Sequence, residues 1–127
     1  MSTLSQAIED AESVLPGAPA EDGQTDPRWQ AIIGVSEFIP EDPRGVWAFA
    51  KKWGRAEDKD LRGAVATCLV EHLLKAHFDA FFPEVAQLAR LDRRFAACVK
   101  ICWLGAGVDP EDARQFNELQ EDLRSAV

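Results

Sequence analysis

The apolar positions of this chain recur at helical spacing, and their densest run, Ala64 to Leu74, is apolar on nearly every side. Leu61, Val65, Cys68, Leu69, His72 and Leu73 follow the i, i+3, i+4 order of a buried stripe, and Val70 and Leu74 widen it beyond one face. A helix of that kind has to be covered by others. The stretch Asp58 to Cys102 is therefore the expected centre of the fold, with Leu69 and Leu73 fully buried.

The flanking elements follow from caps and breakers. Leu4, Ala7, Ile8, Ala11, Val14 and Leu15 predict a first helix over 3–15, capped by Ser2 or Thr3 and stopped by Pro16 and Gly17. The dipeptides Asp26-Pro27, Asp42-Pro43 and Asp109-Pro110 predict helix starts. Aspartate accepts from the unpaired first-turn amides, and proline in that turn loses no needed hydrogen bond. They open helices over 27–39, 43–53 and 110–125, the last with an apolar stripe of Ala113, Phe116, Leu119 and Leu123. His77 to Pro83 predicts a corner before a helix over 83–90. Asp92 predicts a cap for a helix over 93–104 that Gly105 and Gly107 end, with the tryptophans, Trp103 included, mostly on core stripes and one or two of the aromatics left to anchor a partner.

No run alternates as a strand does, so the fold class is all-α: one compact domain of six to seven helices in antiparallel pairs, HEAT-like or an irregular bundle. Its parts are an N-terminal helix (1–15), a flexible linker (16–25) rich in breakers, and a helical domain (26–127). With 127 residues and 46% hydrophobic content, the chain can bury a core without disulfide or metal staples. Its longest nearly uncharged run falls short of the roughly 20 residues of a membrane span. No basic residue followed by an apolar run marks the N-terminus as a secretory signal. Three cysteines in apolar, helical surroundings fit a reducing compartment, so the expected location is cytoplasmic.

Charge changes the picture of partners. The net charge is −8 and sits at the ends: residues 1–26 carry six acidic and no basic groups, and 109–127 carry six acidic and two basic. Such a chain is expected to repel nucleic acid and attract basic proteins. The candidate partner-binding residues are Glu111, Asp112, Glu118, Glu121 and Asp122 on the final helix, together with the aromatic corner Phe78, Phe81 and Phe82.

Candidate chemistry is sparse. There is no H-x-x-x-H pair, no G-x-S-x-G elbow and no phosphate-binding glycine loop after a strand. Cys68 and His72 could form a nucleophile and base, but a thiolate inside an apolar helix is disfavoured by desolvation. Cys68, His72, Cys98 and Cys102 form two i, i+4 pairs that would suit tetrahedral zinc if their helices packed side by side. All four also fit the core stripe, and that reading is preferred: no metal, no cofactor and no catalytic residue is expected, with a zinc-stabilised domain as the alternative and a cysteine-dependent enzyme behind it.

Two sets of stretches carry resemblances. Asp60 to Ala66 (DLRGAVA) and Asp92 to Cys98 (DRRFAAC) resemble the inner helices of HEAT-like α-solenoid units. Glu71 to His77 with Phe81 to Pro83 is similar to small bacterial helical domains, some of which resemble immunity proteins of toxin systems. The resemblance implies a non-catalytic protein-binding domain whose acidic surface caps a basic partner such as a toxin domain.

Overall fold

The computed structural model describes residues 3–18, 20, 21 and 23–125, and all regular structure among them is helical. The helices are α1 (Leu4–Val14), α2 (Pro27–Ser36), α3 (Pro43–Trp53), α4 (Lys59–Val65), α5 (Glu71–Leu91), α6 (Arg93–Lys100) and α7 (Pro110–Ser125). A π turn, Ala66–Val70, joins α4 to α5 without a loop, so the described residues form six helical segments.

The caps behave as their chemistry requires. Asp26 accepts from the Arg28 amide at 2.8 Å, Asp42 from Gly45 at 2.9 Å, and Asp109 from Glu111 and Asp112 at 2.9 and 3.2 Å. Asp58 and Asp92 cap α4 and α6 in the same way. Thr3 caps α1; the alternative cap, Ser2, and two linker residues, Pro19 and Asp22, lie outside the described residues. α1 packs on α2 and α3, burying Ala11 and Leu15, and Glu12 pairs with Lys52.

The core is centred on the π turn. Ala66, Leu69 and Val70 are fully buried, and this single turn packs against α2, α3 and α6 as well as its own helix. The Glu71 amide donates to the Ala66 carbonyl, one residue further back than in an α-helix. The extra residue rotates the next turn of helix, so Leu73 and Leu74 are buried while His72 faces solvent. A second layer is aromatic. Trp47 of α3 meets Phe81 of α5 at 6.1 Å and Phe95 of α6 at 5.8 Å between ring centroids, and its indole N–H reaches Glu84.

Three boundaries differ from the sequence reading. The corner is a break at one residue, His77 (φ −143°, ψ 56°), after which α5 continues through the exposed Pro83 to Leu91. The missing proline donor falls on a solvent-facing side, where its loss costs little. α2 ends at Ser36, and a turn rather than helix carries Ile39 into the core. α6 ends at Lys100, four residues early, and the loop beyond it turns at Gly105 and Gly107 with φ of 77° and 89°. Gln120 of α7, itself buried, donates to the Val99 and Cys102 carbonyls at 3.0 and 2.8 Å and so satisfies the end of α6.

The N-terminal third is held by an ion cluster. Arg28, 2% exposed, reaches Asp58 at 3.0 Å, Asp60 at 2.6 Å, Asp26 at 3.4 Å and the Pro16 carbonyl at 3.2 Å. It joins the linker, the start of α2 and the start of α4. Burial raises the Asp26 and Asp58 pKa values, but backbone amides and Arg28 lower them further, and both end below the ordinary carboxylate value. Their contribution to stability is therefore complete above the unfolded carboxylate pKa of about 4 and is lost as pH falls through the depressed folded values. Urea unfolding from pH 6 to pH 2 is expected to show stability falling below about pH 4. An Arg28→Met chain showing the same fall would place its origin elsewhere.

Candidate functional site

The predicted chemical residues differ in their exposure. Cys68, Cys98 and Cys102 are all buried free thiols. The Cys68 pKa is raised by burial and by the charge of Glu71. Cys102 is raised further, through its contact with Cys98 and its burial, and its Sγ lies 3.5 Å from the Cys98 carbonyl and 3.8 Å from that of Ala66. Cys68 lies within the π turn and is buried, whereas His72, four residues on, is exposed. Among the described residues no group of three or more His, Cys, Asp or Glu is placed to hold a metal ion. No helix among them is long and apolar enough to cross a membrane.

The aromatic corner also changes role. Phe78 and Phe81 are buried and Phe82 is half-buried, stacked on Phe78 at 4.7 Å. The break at His77 lets Phe78, Phe81, Val85 and Ala89 form one inward stripe, which removes Phe78 and Phe81 from the surface.

The acidic helix is on the surface, but not all of it is free. Glu111 and Glu118 both pair with Arg114, at 2.6 and 2.9 Å, and Asp122 lies 3.9 Å from Arg90. Glu121 is exposed with no cation within 4.0 Å among the described residues. At the start of α7 the Asp112 carboxyl is raised by desolvation and by the charges of Asp109, Asp79 and Glu111.

Trp103, expected on the stripe of a longer α6, lies outside it. It is 73% exposed, because α6 ends before it and the core stripe does not continue. It is still held in place: its amide donates to Glu71 at 3.0 Å, and it lines a small depression with Ala113 and Asn117 of α7. Glu121 is one turn beyond Asn117 on the same row of α7. Ile101, 56% exposed, is its close sequence neighbour. Compared with protein-family models, curated proteins and solved structures, the chain matches none.

Proposed function

We propose that this chain is a non-catalytic protein-interaction module that receives a basic protein surface on α7, with Trp103 as the apolar anchor. The observation that carries this reading is Trp103: a large aromatic side chain whose backbone is tied to Glu71 while 73% of it stays in water. Interfaces concentrate their energy in such residues and surround them with charge that selects the partner. The crowded carboxylates at Asp79, Asp109 and Asp112 support a cationic partner, whose approach would relieve their repulsion. Buried thiols with raised pKa values support a role other than cysteine catalysis. In its most specific form the module is an immunity-type domain capping a basic toxin surface. The HEAT-like part of that reading rests on the α5 and α6 pair and on α7 packed against both.

A photo-crosslinking amino acid at position 103, in cells that produce the chain, is expected to give an adduct with one basic protein. With that protein purified, Trp103→Ala should weaken binding by about tenfold or more, the loss typical of an anchor residue. An adduct formed only from other surface positions, or an affinity unchanged by Trp103→Ala, would remove this face from the interface.

A further inference from the structure

The chain has a second charged surface of opposite sign. Between the end of α5, α6 and the last turns of α7 lies an open groove of about 770 Å³. Its floor is aliphatic, formed by the buried Ala89, Ala96 and Leu123, and one wall is Leu91, 78% exposed. Its rim carries Arg90, Arg93 and Lys100 against one carboxylate, Asp122. Among the described residues neither Arg93 nor Lys100 has a carboxylate within 4.0 Å. On the other side of Arg93 a second opening, of about 450 Å³, adds Lys52, Arg55 and Arg94. The one carboxylate there, Asp92, already accepts from the Phe95 amide at 2.9 Å. A chain of net charge −8 thus places Arg93 between two openings rimmed by cations, of which Lys52 is paired with Glu12, with an aliphatic trough beside them.

We propose that this groove binds an acidic amphipathic segment of a protein, its apolar side chains lying on Leu91 and the alanine floor and its carboxylates on Arg93 and Lys100. Charge complementarity selects an anionic ligand, and the aliphatic floor selects one with an apolar face. Nucleic acid fits less well: no aromatic side chain lines the groove to stack a base, and the negative charge of the rest of the chain opposes a polyanion. This site is distinct from the depression at Trp103 in both its lining and its sign.

The test is fluorescence anisotropy with a labelled peptide of about 15 residues, leucines at i, i+3, i+4 and i+7 and glutamates between. A peptide of the same composition with scrambled leucines, a thymidine single strand and vesicles containing phosphatidylserine complete the set. Saturable binding of the amphipathic peptide is expected, weakened about tenfold or more by Arg93→Glu with Lys100→Gln and also by Leu91→Asp. Arg93 is exposed, and a glutamate in the first turn of α6 suits the helix dipole, so Arg93→Glu should keep the fold, as circular dichroism would verify. Trp103→Ala should bind the peptide as the parent chain does, which separates this site from the function proposed above. Equal binding of the scrambled peptide, preferred binding of the oligonucleotide or the vesicles, or no saturable binding at all would overturn the proposal.

Discussion

Arg28→Met is expected to destabilise the domain by about 3–5 kcal/mol, because removing one partner of a buried charge cluster leaves the others uncompensated. The guanidinium is 2% exposed and serves three aspartates and one carbonyl from three different segments. The aspartates keep 16%, 30% and 48% side-chain exposure, so water screens part of the loss and the lower end of that range is expected. Arg28→Lys should recover little, since a single ammonium cannot reproduce the fork that meets Asp58 and Asp60 together. Adding Asp58→Asn and Asp60→Asn to the Arg28→Met background should restore part of the loss by removing the unpaired charge. Urea midpoints read all four chains. A change below 1 kcal/mol for Arg28→Met, well under the magnitude for a broken buried pair, would show that the cluster contributes no net stability.

Leu69→Ala is expected to cost about 2–5 kcal/mol, from lost burial and the cavity left behind. Leu69 is fully buried in the π turn, where α2, α3 and α6 converge, so four elements would have to move to close the space. Thr67→Ala, on the exposed side of the same turn, separates a packing effect from a change in helix propensity and should be nearly neutral. A cost for Leu69→Ala below about 0.5 kcal/mol, outside the range for a buried leucine, would mean that the turn is not the centre of packing.

Much of this architecture is written locally in the chain. The Asp-Pro pairs and Asp58 and Asp92 mark their helix starts, because a cap is decided within four residues. All-round apolarity at Ala64 to Leu74 marks the centre, because only a surrounded helix can be apolar on every side. The hidden features depend on distant contacts. Arg28 reads as one charge among many until the fold brings Asp58 and Asp60 to it across 30 and 32 positions. The π turn has no composition of its own, and the sequence does not show that Cys68 is buried within it while His72, four residues on, is exposed. Trp103 falls on the stripe of an extended α6; the helix stops at Lys100, and Gln120, from α7, donates to the Val99 and Cys102 carbonyls around its end. One local signal for the cationic groove does exist: Arg93 and Arg94 occupy the first turn of α6, where the helix dipole disfavours positive charge.

The central claim, recognition of a basic protein through Trp103 and the acidic face of α7, is tested most directly by association kinetics against salt. The partner is the protein captured from position 103, and the variant is Glu118→Lys with Glu121→Lys, two exposed positions that leave the core stripe untouched. Charge at an interface rim acts on encounter, so the variant should associate about tenfold more slowly at low ionic strength and lose most of its salt dependence, with dissociation little changed. Association rates and salt slopes identical to those of the parent chain would contradict the claim.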